Sequence, residues 1–252
     1  MRIISLNCQK AYRSAALRGF LANTLSLPLA EQIDFFLLQE VSPEVIEILN
    51  DLTGNNYEII RLENPLTGGW SQCAIVYHRK HRLLKTTFFS FAHFSKEKPR
   101  PEFGCILAVF DKVIVASIHR HAAFHLLTRR QEALFVKQKV LEVIREENLP
   151  LVIGGDWNSG IPGECWRLER MMLPEFHDLS ADLSHTCESR YVEPSTDLNR
   201  FALRLAKIGI SLKLSPDHIF ASKELATGHS SRSSCKTMEA RVSDHLPLLL
   251  EI

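Results

Sequence analysis

The stretch PLVIGGDWN, residues 150–158, carries the clearest indication of how this chain folds. Its apolar residues are consecutive rather than alternating, which is typical of a strand that is buried on both faces. Two glycines, an acid and an amide then crowd the point where the strand ends. A glycine turn with an Asx cap is the purely structural interpretation of this cluster. Since ligand and catalytic groups of layered α/β folds gather at strand ends, Asp156 and Asn158 are also candidate site residues.

The same pattern, in which an apolar strand meets polar residues of catalytic type, recurs along the chain. The residues concerned are Asn7, Gln39, Glu40 and His119, which end strands, and Asp217, Asp244 and His245, which stand just before strands. Taken alone, each has an ordinary explanation, such as a turn former, a charge near a helix N-terminus or a core histidine. Several acids at converging strand ends would, however, repel one another unless a cation were present. Carboxylate and amide oxygens suit Mg²⁺ or Mn²⁺.

The remaining pattern predicts one α/β domain over residues 1–252 with mixed sheets. The composition is 45% apolar and 23% charged, and no linker divides the chain. Strands first alternate with helices and then follow one another directly, which favours mixed rather than purely parallel sheets. Helices are predicted over 14–25, 43–52, 125–147, 163–172 and 197–208. The net charge of +1 argues neither for nor against nucleic acid as a partner.

The cysteines and the N-terminus restrict the class of protein. The six cysteines are scattered and form no C-x-x-C pair, which excludes the usual zinc spacing and gives no disulfide framework. Buried free thiols are therefore expected. The N-terminal stretch MRIISLNCQK lacks the apolar region of a signal peptide, and no stretch reaches the ~20 apolar residues of a membrane span. A cytoplasmic protein without a transmembrane segment is expected, although export without a signal peptide stays open.

The ordered set of these segments resembles the endonuclease/exonuclease/phosphatase superfamily, the deoxyribonuclease I-like group. The segments that carry the resemblance are Asn7, LQE (38–40), SIH (117–119), GDWN (155–158), PDHIFAS (216–222) and SDHLPL (243–248). They extend over almost the whole chain. The resemblance implies a four-layer α/β sandwich, in which two mixed β-sheets pack face to face with helices outside. It also implies metal-assisted hydrolysis of a phosphoester, with Glu40 as the main Mg²⁺ (or Mn²⁺) ligand and Asn7 and Asp244 close to the ion.

The resemblance implies catalytic roles for five further residues. Asp156 would orient or deprotonate the attacking water, and Asn158 would bind the phosphate. His245 would bind a phosphoryl oxygen or share the proton transfer, while Asp217 would fix the orientation of a histidine. His119 would contact the phosphate or protonate the leaving group. The chain departs from the family pattern at Ser117 and Ile118, where Asn and Thr are usual, and at Trp157, where Phe is usual.

The substrate is less well defined than the reaction. Arg120, Arg129 and Arg130 flank His119 and could bind a phosphate or pair with helix acids such as Glu132; we assign Arg120 and Arg130 to substrate binding. The stretch His78–Arg100 holds seven Lys or Arg against one acid. Such a strip would suit nucleic acid or an anionic lipid head group, but lysines and arginines also protect exposed strand edges.

Three hypotheses follow from the sequence. The first is a Mg²⁺-dependent phosphodiesterase or nuclease. The second is a phosphatase or phospholipase-type hydrolase that acts on an inositol or sphingolipid head group. The third is a catalytically inactive binding module of the same fold, which the intact set of polar residues argues against.

Overall fold

The computed structural model describes residues 1–62, 72–94, 103–121, 126–159, 162–188, 204, 207, 213–214, 216–228 and 234–252. The helices are α1 (Ser14–Leu25), α2 (Pro43–Thr53), α3 (Leu126–Glu147), α4 (Pro162–Met172) and α5 (Lys223–Gly228). The strands before α3 are β1 (Arg2–Asn7), β2 (Phe35–Gln39), β3 (Tyr57–Ile60), β4 (Ala74–His78), β5 (Leu83–Ser90), β6 (Gly104–Phe110) and β7 (Ile114–His119). The later strands are β8 (Leu151–Asp156), β9 (Phe176–Asp178), β10 (Cys187–Glu188), β11 (Lys213–Leu214), β12 (Asp217–Ser222), β13 (Ser234–Thr237) and β14 (Leu248–Glu251).

These strands form two mixed six-stranded sheets and one short two-stranded antiparallel sheet. The first sheet has the order β13-β14-β1-β2-β4-β3, and the second has the order β5-β6-β7-β8-β12-β9. In the first sheet β1 and β2 are parallel, whereas β14 and β4 run antiparallel to them. In the second sheet β7 and β8 are the parallel pair, and their neighbours are antiparallel. The strand β1 from the start of the chain therefore pairs with β14 from its end.

The apolar side chains separate into three cores that define four layers. One core, which includes Phe35, Leu37, Ile106 and Val152, fills the space between the two sheets. A second core packs α1 and α2 on the outer face of the first sheet, and a third packs α3 and α4 on the outer face of the second. The central strands β2, β6, β7 and β8 are buried along their whole length, as consecutive apolar residues predict. The predicted four-layer α/β sandwich is thus confirmed.

The predicted helices agree closely with the structure, with differences at a few ends. The predicted strand 33–40 begins only at Phe35, and the carboxylate of the preceding Asp34 accepts a hydrogen bond from the Arg2 backbone N–H. Helix α2 begins as expected, with Ser42 as its N-cap and Pro43 at its first position. The helix predicted over 197–208 falls mostly outside the described residues. None of the described helices is both long enough and apolar enough to cross a bilayer.

The surroundings of the cysteines and of the described basic residues in 78–100 are those of structural residues. Four cysteines are buried, Cys165 and Cys235 are half-buried, and all six are free thiols. Of the basic residues in 78–100, Arg79 pairs with Glu58 at 3.1 Å and Lys80 with Asp34 at 2.6 Å. These residues follow β4 at the end of the first sheet that is opposite to Glu40, since Tyr77 pairs with Phe35 at the start of β2. Lys96, Lys98 and Arg100 lie outside the described residues.

Gly155 sets how closely β8 approaches β7. Its φ is +150°, and a Cβ at this position would lie 2.1 Å from the backbone oxygen of Ile118. No side chain fits there unless the parallel pair separates. Because Gly155 directly precedes Asp156, the spacing of this pair also fixes the position of the first candidate catalytic residue.

We therefore expect Gly155→Ala to destabilise the protein. The added methyl group overpacks a buried strand pair, which typically costs ~1–3 kcal/mol. For a chain of this size the melting temperature should fall by ~2–4 °C per kcal/mol, as measured by thermal unfolding. Gly19→Ala in α1 is the matched control, because no atom lies within 4 Å of its Cβ position. The control should leave the melting temperature equal or slightly higher, since alanine is the better helix former; an equal fall in both variants would contradict this prediction.

Candidate active site

The strand register brings the predicted residues from both sheets to one end of the sandwich. In the first sheet Asn7 pairs with Gln39, and Glu40 follows directly. In the second sheet His119 pairs with Asp156 across the parallel strands, and Asp156 pairs with Asp217 across the antiparallel strands. The two sheets thus present their polar strand ends to each other. Asn7 and Asp156, which are 149 positions apart in the sequence, come within hydrogen-bond distance.

Asn7 connects the two sheets at this end. Its Nδ2 donates to Glu40 Oε1 and to Asp156 Oδ2, both at 3.1 Å. Its Oδ1 accepts a hydrogen bond from the Gln9 backbone N–H at 2.9 Å. In this orientation the amide hydrogens, rather than the oxygen, point toward the carboxylates. Asn7 therefore holds Glu40 and Asp156 side by side, and it would act as a metal ligand only after rotation of its amide.

Asp217 and His245 form a buried pair beside Asp156. His245 Nδ1 lies 2.8 Å from Asp217 Oδ2, and its Nε2 lies 3.9 Å from Asp156 Oδ2. Burial alone would lower the pKa of His245, but the Asp217 and Asp244 carboxylates raise it well above its usual value. Burial, reinforced by Asp217 and Glu40 and opposed by His245, raises the pKa of Asp156 to about 7. The position of Asp217 is the one that the sequence predicted for a residue that orients a histidine.

His119 completes the group on the side of Glu40. Its Nε2 lies 4.0 Å from Glu40 Oε1 and 3.8 Å from Asp156 Oδ2. Phe103 packs against the ring, with 4.9 Å between the centroids. Burial lowers the pKa of His119 to about 4, so the imidazole is neutral at physiological pH. A neutral imidazole can donate one hydrogen bond to a phosphate, whereas protonation of a leaving group would need a proton from a neighbour.

Asp244 lies at the rim of the same group. Its Oδ1 is 3.9 Å from His245 Nε2, and its backbone N–H donates to Gln9 Oε1 at 3.3 Å. Burial raises its pKa. With His245 it approaches Cys187, whose thiol has a pKa raised to about 12 by burial, so the sulfur is protonated.

Strained backbone accompanies the site. Glu40 and Asn158, which follow β2 and β8, have φ values of +51° and +50°. Gln9, Lys10 and Ala11, in the turn after Asn7, also have positive φ values. Such conformations cost free energy for residues other than glycine and are concentrated at functional sites. Here they turn the chain sharply at the strand ends, which leaves the Glu40 carboxylate facing the strand ends of the second sheet.

Asn158 and two of the arginines after His119, Arg120 and Arg129, have structural partners. Asn158 Nδ2 donates to the backbone oxygen of Arg120 at 2.7 Å, and its backbone N–H donates to Asp156 Oδ1 at 2.9 Å. Arg120 is buried and lies with its Nε 3.5 Å from Glu132 Oε2, so this arginine pairs with a helix acid. Arg129 pairs with Glu164, and Arg130 is exposed on α3. A role in substrate binding for Arg120 and Arg130 stays a prediction.

A hydrogen-bonded link between the two sheets behind the site was not predicted from the sequence. Gln39 Nε2 donates to Ser117 Oγ at 3.0 Å, and Ser117 Oγ donates to the backbone oxygen of Leu38 at 2.9 Å. Both side chains are fully buried. Ser117 occupies the position where the family usually has Asn. The link could have been suspected because Ser117 is a polar residue within the apolar run VIVASIH and lies on the same strand face as His119.

A second buried network supports the turn after Asp156. Ser159 Oγ lies 2.8 Å from His218 Nε2, and His218 Nδ1 lies 2.6 Å from Asp178 Oδ2. Although burial opposes the charged imidazole, the Asp178 carboxylate raises the pKa of His218 to about 10. The network ties the GDWN turn to β9 and β12. From the sequence, only Asp217 is a candidate site residue in this segment, because Asp178 is 40 positions away from His218.

The donor atoms of the site suit a hard divalent cation. Ligand atoms of Glu40, His119 and Asp156 lie within 4.8 Å of one another, and so do those of Asp156, Asp217 and His245. Carboxylate oxygens dominate both groups, and a third group of this kind joins Cys187, Asp244 and His245. Burial is the main cause of the raised pKa of Asp156, and the nearby Asp217 and Glu40 carboxylates add to it. Groups of this composition could hold a divalent cation.

Comparison with known proteins identifies the family. A family model described as Endonuclease/Exonuclease/phosphatase family matches residues 4–245. The chain belongs to this family. Its members are hydrolases of phosphoesters, and the described cluster contains the residues that carry the resemblance. A search of curated protein sequences gave no match.

Solved structures of the endonuclease/exonuclease/phosphatase fold resemble the chain over nearly its whole length. A mannosyl-6-phosphatase from Bacteroides thetaiotaomicron superposes with a TM-score of 0.66 at 18% identity, covering 100% of this chain and 98% of that one. TDP2 from D. rerio, complexed with a single-strand DNA product, gives a TM-score of 0.69 at 16% identity, covering 99% and 97%. The human Nocturnin catalytic domain with bound sulfate gives 0.66 at 17% identity, covering 99% and 93%. At these identities the likeness establishes the fold.

Proposed function

We propose that the protein is a phosphoesterase that depends on Mg²⁺ or Mn²⁺ and acts as a single catalytic domain on phosphodiesters, as a nuclease does. The observation that carries this proposal is the convergence of Asn7, Glu40 and His119 with Asp156 and with the Asp217–His245 pair. An inactive binding module would have no need for three buried or half-buried acids in such an electrostatically unfavourable arrangement. Membership of the family supports phosphoester hydrolysis as the reaction.

Glu40 and Asp244 would hold the cation, together with Asn7 if its amide rotates. When bound, the cation would withdraw charge from a phosphoryl oxygen and stabilise the leaving oxygen. Mg²⁺ keeps several of its waters in protein sites, so such a small set of protein ligands is sufficient.

The residues of the second sheet would carry the proton transfer and the binding of the phosphate. Asp156, with a pKa near neutrality, is suited to accept a proton from the attacking water. His245, charged and held by Asp217, would donate from Nε2 to a phosphoryl oxygen. His119 and Asn158 would bind further oxygens. These groups would stabilise the charge that develops in the transition state more than that of the substrate.

A nucleic acid is the substrate class that we favour. TDP2 from D. rerio, one of the structures with the same fold, was crystallised with a single-strand DNA product. Several arginines follow the site along the chain at 120, 129 and 130. The alternative is a phosphatase or phospholipase-type activity, since the fold also occurs in a mannosyl-6-phosphatase.

The test is a panel of substrates with cation controls. The purified protein is incubated with bis-p-nitrophenyl phosphate, single-stranded DNA, abasic-site oligonucleotide, poly(A) RNA, sphingomyelin, inositol phosphates and a sugar phosphate. We expect hydrolysis of bis-p-nitrophenyl phosphate and of the nucleic acids in Mg²⁺ or Mn²⁺, its loss in EDTA, and its return when the cation is added back in excess. Turnover of sphingomyelin without turnover of the nucleic acids would favour the phospholipase-type alternative. Turnover that survives EDTA would contradict the metal requirement. Turnover of the phosphomonoesters alone would favour the phosphatase alternative.

A further inference from the structure

A cavity of 530 Å³ lies beside the candidate active site, between the first turn of α3 and the helix α4. The volume is within the ~300–1,000 Å³ that is typical of ligand sites. The residues that line the cavity and carry the argument are Arg120, Arg129, Arg130, Trp166, Arg167 and Arg170. Glu164 is the acid of the lining, and it is already paired with Arg129.

The lining concentrates positive charge in a chain whose net charge is only +1. Arg120 pairs with the buried Glu132. Arg130, Arg167 and Arg170 are exposed, and none of them forms an ion pair with another described residue. Three guanidinium groups that have no ion-pair partner among the described residues favour an anion with more than one charge, and phosphate oxygens match the geometry of guanidinium donors.

An exposed aromatic ring stands among these arginines. Trp166 is 56% exposed, although most large apolar side chains of the described residues are buried. Its neighbour Arg170 places its guanidinium carbon 4.6 Å from the ring centroid. A tryptophan face next to guanidinium groups is the combination that binds single-stranded nucleic acids, in which bases stack and phosphates pair with cations. Inositol and sugar phosphates have no planar base to stack on it.

The cavity and the catalytic group lie at the same end of the second sheet but on its two faces. His119 faces the space between the sheets, while the next residue, Arg120, faces α3 and α4, because successive side chains of a strand alternate. The Cα atoms of these two residues are only ~3.8 Å apart. In the GDWN turn, Asp156 faces the catalytic group, and Ser159 reaches the cavity lining. A chain bound at the catalytic group needs to pass over only the strand ends to enter the cavity.

The geometry points to a nucleotide subsite in this cavity. It takes the nucleotide next to the scissile phosphate of a single-stranded nucleic acid, with a phosphate among Arg130, Arg167 and Arg170 and the base stacked on Trp166. The position of this nucleotide next to the scissile phosphate rests on the proposed function, whereas its binding can be measured without turnover. The substrate class becomes an oligonucleotide rather than an isolated phosphoester.

The first test measures binding, so it stands apart from catalysis. A fluorescein-labelled single-stranded oligodeoxythymidylate is titrated by fluorescence anisotropy in Mg²⁺, on an Asp156→Asn background, in which hydrolysis should be ~10²–10³ times slower. Added to it, Arg167→Gln with Arg170→Gln should weaken binding ~10-fold or more, and so should Trp166→Ala alone. The arginine variant should also reduce the slope of log Kd against log salt by ~0.7 for each phosphate that is no longer neutralised. The control is Arg18→Gln with Arg145→Gln, which removes the same charge from exposed positions of α1 and the far end of α3.

The second test compares substrates. In the active protein, Arg167→Gln with Arg170→Gln should lower kcat/KM for the oligonucleotide at least ~10-fold more than kcat/KM for bis-p-nitrophenyl phosphate, which has no neighbouring nucleotide. Equal losses on both substrates, or oligonucleotide binding that weakens as much in the control, would overturn the subsite. Displacement of the probe by an inositol phosphate at lower concentrations than by unlabelled oligonucleotide would overturn it in favour of a head-group site. If the arginine substitutions weaken oligonucleotide binding but the protein hydrolyses none of the substrates, the subsite is upheld and the proposed function alone is overturned.

Discussion

Asp156→Asn should lower the rate of phosphodiester hydrolysis by a factor of ~10²–10³, the loss that follows removal of one major group from an electrostatic site. The amide keeps the size of the side chain and can still accept from the Asn158 backbone N–H, which bonds to Oδ1 at 2.9 Å. It carries no charge and cannot accept the proton of the attacking water. The measurement is kcat/KM with bis-p-nitrophenyl phosphate in saturating Mg²⁺.

The control for this variant is Asp111→Asn. Asp111 is exposed in the turn between β6 and β7, at the end of the second sheet that is opposite to Asp156. The control changes the net charge equally and should retain the wild-type rate. Thermal unfolding of both variants should stay cooperative, because neither substitution changes the packed volume. Near-normal turnover by Asp156→Asn would remove Asp156 from the mechanism.

Ending the chain at Val242 should abolish both the fold and the activity. The deleted residues form β14, which lies between β13 and β1 in the first sheet. Leu248, Leu249 and Leu250 are almost fully buried, and each buried leucine contributes ~1.5–3 kcal/mol. Together they approach the whole ~5–15 kcal/mol by which a domain is stable. We expect no cooperative thermal transition by circular dichroism and no turnover.

His245→Gln in the full-length chain separates the two effects of that deletion. Glutamine retains a donor for Asp217 and leaves β14 in place, so we expect a cooperative transition with a rate reduced by ~10²–10³. A truncated protein that unfolds cooperatively near the wild-type temperature would contradict the structural role of β14. Wild-type turnover by His245→Gln would contradict the catalytic role of the histidine.

The predictable part of this protein consists of features with local causes. Consecutive apolar runs indicated buried central strands, and Ser42 with Pro43 marked the start of α2. Polar residues at the ends of these runs identified the candidate site before any contact was known. This succeeds because strand burial and helix capping depend on residues close together in the sequence.

The contacts that shape the site have non-local causes. The contact of Asn7 with Asp156, the link between Gln39 and Ser117, and the Asp178–His218 pair join residues 149, 78 and 40 positions apart. Periodicity does not encode such pairings, because they depend on which strands become neighbours. The unusual backbone of Glu40 and Asn158 is likewise maintained only by the surrounding packing.

The mixed α/β class, the strand ends that carry polar groups and, through the resemblance, the family all follow from the amino-acid sequence alone. The folded arrangement was needed to show that Arg120 faces away from His119 toward a basic cavity, and that the described part of the basic stretch lies opposite to Glu40. These features could not be predicted because side-chain direction and strand register follow from the packing of the two sheets. The type of a residue determines which chemistry its side chain can perform, and the register of its strand determines where in the fold that side chain lies.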